Sequence, residues 1–159
     1  MKKNSIVVSV TMVFILVLAL STVALAADPH VGTWKLNVAK FQSNLGPAPK
    51  STTLKITAQH NGIKSVSDSV NADGQASHVE FTAKYDDKDY PYTGSQTVDT
   101  IALKQIDANT FDVVAKKAGK EIARGREVFS KDGKTMTHTI KGKTAQGQDI
   151  DIVTVYNKQ

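Results

Sequence analysis

The feature that most constrains the fold is a two-residue alternation of apolar and polar side chains that recurs along most of the chain. In the segment 76–85, Val79, Phe81, Ala83 and Tyr85 fall on one face and polar residues on the other. Two is the side-chain period of a β-strand with one buried and one solvated face. The sequence therefore predicts an all-β protein.

Turn signals interrupt the alternation at short, fairly regular intervals. Asn61-Gly62, Asp73-Gly74 and Asp132-Gly133 are dipeptides that supply the positive φ of tight hairpins. Consecutive hairpins make an antiparallel meander. The segments between the turns predict about ten strands, at 33–38, 51–59, 63–70, 76–85, 89–93, 97–106, 110–117, 121–130, 134–141 and 149–158.

A meander of this length has two exposed edges unless its first and last strands pair. Closure removes both edges, so we expect a single up-and-down antiparallel β-barrel of about 8–10 strands. A sandwich of the same strands would show the same alternation, so the sequence does not decide between the two folds. Thr, Lys and Asp on one face of most strands place that face in water. This excludes an outer-membrane barrel, whose outer face is apolar.

One connection differs from the short turns. Residues 39–45 have the length for about two helical turns, and Gly46, Pro47 and Pro49 follow as stop signals. We therefore expect at most one short helix, placed after the first strand and lying over a barrel end.

The first 26 residues have the composition of a secretory signal peptide. Lys2 and Lys3 precede the apolar run 6–20, and Ala24-Leu25-Ala26 matches the A-x-A cleavage pattern. The alternative is an uncleaved membrane anchor, since residues 5–27 are just long enough to span a bilayer. The short run and the cleavage pattern favour a signal peptide at 1–26 and a barrel domain at 27–159. The mature protein is then periplasmic or secreted, without stable membrane insertion.

The amino-acid composition excludes further classes of protein. The chain contains no cysteine, which excludes a disulfide scaffold and a lipid-anchored lipoprotein. The formal charge of +5 includes Lys2 and Lys3, and the remaining excess is spread along the chain. We therefore expect no nucleic-acid partner. The working expectation for the oligomeric state is a monomer.

Catalytic and metal-binding motifs are absent from the sequence. It has no G-x-S-x-G, no glycine-rich phosphate loop and no H-E-x-x-H. His30, His60, His78 and His138 are widely separated and show no metal-ligand spacing. We therefore expect no enzyme activity, no metal and no cofactor, with the histidines on the surface or on strand faces.

The two ends of the mature chain resemble lipocalins and fatty-acid-binding proteins. The segments that carry the resemblance are Gly32-Thr33-Trp34-Lys35-Leu36, Arg126-Glu127-Val128, Lys131-Asp132-Gly133-Lys134 and Val155-Tyr156-Asn157-Lys158. The chain is also similar to small exported bacterial proteins described as lipocalin-like. The resemblance implies a barrel closed at one end by Gly32 and Trp34.

The resemblance also suggests ligand-binding residues. It implies that Arg126 faces a ligand carboxylate and that Tyr156 is a second donor, while Thr154 replaces the family's other arginine. Tyr85, near two other tyrosines at 90 and 92, is a further candidate for the pocket. Arg124 shares the face of Arg126 and is included with it.

The alternation itself leaves the register of segment 121–130 open. If residues 122, 124, 126 and 128 face inward, both arginines point into the barrel. If residues 123, 125, 127 and 129 face inward, both are surface residues.

Two functions from different classes remain. The first is a binding protein that holds a small, partly apolar ligand inside the barrel. Small inward residues such as Ala58, Ala83 and Ala115 would leave room for it. The second is a non-enzymatic structural or interaction protein of the envelope, with a solid barrel and a partner- or protease-binding outer surface.

Overall fold

The computed structural model describes residues 28–144 and 146–159. The predicted signal peptide, 1–26, lies outside these residues. Within the described part of the chain, no helix has the length and hydropathy needed to cross a bilayer.

The described residues form eleven strands and one 3-10 turn, Val38–Lys40. The strands are β1 Gly32–Leu36, β2 Gln42–Ser43, β3 Ser51–Gln59, β4 Gly62–Val70, β5 Ala76–Lys84, β6 Tyr90–Thr93, β7 Thr100–Asp107, β8 Thr110–Lys117, β9 Lys120–Phe129, β10 Thr135–Lys143 and β11 Asp149–Lys158.

The strands close into an antiparallel barrel because β1 pairs on both sides. Trp34 is in register with Leu54 of β3 and with Lys158 of β11. From β3 onward, each strand pairs with the next in chain order up to β11. The predicted single up-and-down barrel is therefore confirmed, and the sandwich is excluded.

The two-residue strand β2 lies outside this circuit. It pairs with the middle of β11, where Ser43 is in register with Ile152. Both β1 and β2 thus lie against β11, and the 3-10 turn Val38–Lys40 connects them.

No α-helix forms after the first strand, which agrees with the expectation of at most one short helix there. Residues 39–45 contain the end of the 3-10 turn and the strand β2 instead of two α-helical turns. The side chain of Asn44 explains part of this choice, because it donates to the Asp149 carbonyl at 2.7 Å and accepts from the Asp151 amide at 2.9 Å. These bonds hold the segment extended along β11.

Alternation along the strands lines the inside of the barrel with mostly apolar side chains. One contiguous core joins all parts of the wall: Trp34, Leu36, Ile56, Ile63, Ala83, Ile101, Leu103, Phe111, Val113, Phe129, Met136 and Tyr156. Burial of such surface is the main stabilising contribution in a chain without disulfides.

Trp34 is at the centre of the closure. Its side chain is fully buried, and its indole Nε1 donates to the His30 carbonyl at 2.7 Å. Its ring meets Phe129 edge-to-face at 5.5 Å, and Lys158 Nζ lies 5.0 Å from the ring centroid. The indole therefore joins the N-terminal segment, β9 and β11.

We expect Trp34→Ala to destabilise the protein by about 3–5 kcal/mol, because it leaves a cavity and an unpaired carbonyl at the closure. Chemical denaturation of the mature protein measures this. Val38→Ala is the matched control, since Val38 is exposed and its truncation should cost less than about 0.5 kcal/mol. Equal losses in the two variants would show that Trp34 has no special role.

Candidate functional site in the barrel interior

The barrel is not solid. It encloses a cavity of about 220 Å³ whose wall is mostly apolar. The apolar lining comes from Leu54, Ile56, Ile63, Val79, Phe81, Ile101, Leu103, Val113 and Ile140. A second space of about 200 Å³ adjoins it, with Tyr92, Ile101, Val113, His138 and Ile140 common to both linings.

Small side chains on the inner face create this room. Ser65 and Ser67 of β4 line the first cavity, and Ala115 and Ala123 line the second. Of the alanines expected to leave space, Ala83 is buried in the core, but Ala58 is exposed near the end of β3. Ala58 therefore contributes no interior volume.

A set of polar side chains lies beside the first cavity. We call Asp28, His30, Tyr85, Glu127 and His138 the polar cluster. His30 is 1% exposed, and Nε2 of its ring lies 2.8 Å from Glu127 Oε2. Its Nδ1 lies 3.2 Å from Asp28 Oδ1. Three members, His30, Glu127 and His138, line the cavity.

The geometry favours a protonated His30. Nε2 faces a carboxylate oxygen of Glu127, and Nδ1 lies 3.2 Å from Asp28 Oδ1 and 3.0 Å from the Tyr85 hydroxyl. Because that hydroxyl donates to Asp28 Oδ2, Nδ1 is left to donate, and both nitrogens of an imidazolium are then satisfied. Burial opposes this charge, but the hydrogen bonds to Asp28 and Glu127 and the charges of both outweigh it. Together they raise the pKa of His30 to about 9. His30 is therefore charged at neutral pH.

Aromatic rings surround His30 and hold it in place. The rings of Phe111 and Phe129 meet it edge-on at 4.1 and 4.6 Å. Tyr85 stacks at 5.5 Å, and its hydroxyl donates to Asp28 Oδ2 at 2.5 Å. Burial and this bond raise the pKa of Tyr85 above its ordinary value. The imidazolium thus has little freedom to reorient.

Glu127 joins His30 to His138. Its Oε1 lies 3.7 Å from His138 Nδ1, which is beyond hydrogen-bond distance. Burial would raise the pKa of Glu127, but the hydrogen bond to His30 and the charge of His30 lower it, so it is a carboxylate. Burial lowers the pKa of His138, which is therefore neutral at pH 7.

His138 Nε2 is buried and has no hydrogen-bond partner among the described residues. It lies against Gly125 of β9, where a Cβ would come within 2.3 Å of it. A side chain at position 125 would thus displace the imidazole, so glycine is needed there because of contact distance and not because of backbone conformation.

The arginines predicted at the site lie on the outer face of β9. Arg126 is 57% exposed and forms a two-point ion pair with Asp112, with distances of 2.7 and 3.0 Å. Arg124 is 58% exposed and pairs with Glu121. The inward interpretation of both arginines is therefore corrected: residues 123, 125, 127 and 129 face inward.

The predicted tyrosines do lie inside. Tyr156 is buried and lines the first cavity, and burial raises its pKa to about 12. Tyr85 belongs to the polar cluster. Their contact with a ligand stays a prediction. Of the neighbouring tyrosines, Tyr92 lines both cavities, while the Tyr90 hydroxyl donates outward to Asp86 at about 3 Å.

Asp28, His30, Glu127 and His138 were not predicted as site residues. His138 carries a signal, because it alternates with Met136 and Ile140 on an inward face. Glu127 faces inward in only one of the two registers left open for segment 121–130, so its signal in the sequence is weaker. Asp28 and His30 precede β1 and belong to no alternating segment, so periodicity could not identify them. Within the described residues, no group of three or more His, Cys, Asp or Glu side chains is arranged to hold a metal ion.

The charged state of His30 predicts a loss of stability above neutral pH. The pKa is about 9 when folded and near 6.5 when unfolded, so the folded state binds the proton more tightly. The stabilisation is complete below pH 6.5 and is lost as the pH rises through 9. The total is about 3 kcal/mol.

Urea denaturation between pH 6 and pH 9.5 measures this slope. His30→Gln should remove it, whereas His78→Gln should keep it, since His78 is an exposed histidine paired with Asp68 on the outer face. If the first variant does not fold, the NMR titration of the His30 ring in the unmodified protein gives the pKa directly. A ring that loses its proton near pH 6.5 would contradict the ion-pair geometry.

No protein-family model matches the chain, and no curated protein sequence matches it. Among solved structures, it is similar to the zebrafish ileal bile acid-binding protein complexed with cholic acid, with a TM-score of 0.48 and 11% sequence identity. That alignment covers 82% of this chain and 99% of the zebrafish protein. The assignment of the fold and of the site therefore rests on the strand pairing and side-chain contacts of this chain.

Proposed function

We propose that this chain is an exported, non-enzymatic protein that binds a small, partly apolar ligand inside its barrel. The observation that carries the proposal is the interior cavity of about 220 Å³, with mostly apolar walls and three members of the polar cluster in its lining. Apolar cavities with a few convergent polar groups are the usual form of small-molecule sites.

The size of the cavity limits the ligand. An engineered apolar cavity of about 150 Å³ is large enough to bind benzene. The first cavity therefore suits a molecule with one ring and a short chain. The adjoining space of about 200 Å³ offers room for a longer ligand.

The polar cluster supports binding better than catalysis. His30 holds both of its protons in bonds to carboxylates, so it is not available as a general base. Glu127 is kept ionised by the same bond. We therefore propose that the cluster binds a ligand and does not catalyse a reaction.

A route to the cavity is offered by β6. On one side, Thr93 and Tyr92 pair with Glu80 and Phe81 of β5. On the other side, Tyr90 and Pro91 pair with Ile101 and Thr100 of β7. The other neighbouring strands of the meander pair over longer stretches. Because local opening costs least where a ladder is sparse, we propose that ligands enter beside Tyr92.

The signal pattern at 1–26 supports a periplasmic or secreted location. Cleavage after Ala26 would leave Asp28 and His30 close to the new N-terminus, where they enter the polar cluster. The alternative function, an envelope interaction protein with a solid barrel, predicts a filled interior. The two cavities do not support it.

Native mass spectrometry of the mature protein, purified from the periplasm, tests the proposal. We expect a mass excess of one small molecule that organic extraction removes. Residues 27–159 refolded from denaturant should bind the extracted compound again. A clean apo mass with no uptake from the extract would contradict a carrier role and favour the solid-barrel alternative.

Filling the cavity should abolish binding. Ser67→Phe places a ring in the first cavity, so we expect the extracted ligand to bind at least tenfold more weakly, measured by isothermal calorimetry. Val66→Phe is the matched control, because Val66 immediately precedes Ser67 in β4 and its side chain points to the other face. Equal affinities in the two variants would locate the ligand outside the barrel.

A further inference from the structure

The charges beside the cavity restrict the ligand more sharply than its size does. The polar cluster holds two carboxylates, Asp28 and Glu127, and one cation, His30. His138 is neutral, because a charged ring would bury an Nε2–H without a partner. The side chains of the cluster thus carry a net charge of −1.

Nothing in the described lining offsets this charge. The residues around the two cavities include no lysine and no arginine. Arg124 and Arg126 are on the outer face and already paired with acids. A ligand carboxylate placed in the cavity would therefore lose its hydration and find no free cation, which is unfavourable.

One oxygen of the cluster also lacks a donor. Glu127 Oε2 accepts from His30, but Oε1 has no hydrogen-bond donor among the described residues, and His138 Nδ1 remains 3.7 Å away. Glu127 lines the cavity. A partly buried carboxylate oxygen in this state is stabilised by a donor that enters the cavity, most strongly by a charged one.

We infer that the barrel selects a small apolar molecule carrying a protonated amine, whose ammonium group donates to Glu127 Oε1 while its apolar part fills the cavity. This inference rests on the proposed function and names its ligand class. The ammonium neutralises the net charge of the polar cluster, and it satisfies the free oxygen. A neutral alcohol would satisfy the oxygen but leave the charge.

A series of four probes of similar shape tests this selectivity. They are 2-phenylethylamine, 2-phenylethanol, propylbenzene and 3-phenylpropionate, each titrated into mature protein at pH 7 and followed by calorimetry and amide NMR shifts. We expect the amine to bind about tenfold or more tightly than the alcohol, and the acid to bind most weakly.

The outcomes distinguish a failure of the amine inference from a failure of the proposed function. If propylbenzene or the acid binds as tightly as the amine, the amine inference fails while the binding function stands. If none of the four binds and the native protein carries no extractable molecule, the proposed function fails as well, and the inference fails with it.

Two variants locate the recognition. Glu127→Gln keeps the shape of the side chain and removes its charge, so the amine's advantage over the alcohol should disappear while propylbenzene affinity stays constant. Arg126→Gln is the matched control, one residue away on the outer face, and should keep the full preference. A preference that survives Glu127→Gln would overturn the inference. If that variant does not fold, the ranking of the four probes on the unmodified protein remains decisive.

Discussion

Closure of the sheet by β1 is the constraint on which the rest of the structure depends. Five residues, Gly32–Leu36, form hydrogen bonds to β3 on one side and β11 on the other. Without them the meander would have two free edges and no distinction between inside and outside. Trp34 provides the packing at this point, and its bond to the His30 carbonyl ties the closure to the polar cluster. The strand that closes the barrel thus also positions the most buried charge.

The energetics of the polar cluster favour a functional role. Charges removed from water cost several kcal/mol each, and replacing a buried ion pair by apolar residues is often neutral or stabilising. His30 lies among Phe111, Phe129 and Tyr85, where an apolar residue would pack without that cost. Glu127 Oε1 has no donor among the described residues, and Glu127 lines the cavity, which suits the proposed recognition of a cation.

Much of the fold was predictable because its determinants are local. Predicted strands 110–117 and 149–158 coincide with β8 and β11, since alternation and turn dipeptides mark both ends of each. The two helical turns that segment 39–45 could have formed are absent for a non-local reason. The bonds of Asn44 to Asp149 and Asp151 lie more than 100 residues away in sequence and favour an extended chain. The local sequence pattern does not reveal these long-range hydrogen bonds.

The site was less predictable because it depends on a one-residue choice of register. On β9, both faces contain apolar and charged residues, so alternation alone could not decide between Arg126 and Glu127. The partners decide it: Asp112 on the outer face of β8 holds Arg126, and His30, 97 residues away, holds Glu127. A shift of one residue exchanges a cationic interior for an anionic one. In the proposed function, the ligand class therefore depends on the register of β9 and not on the fold.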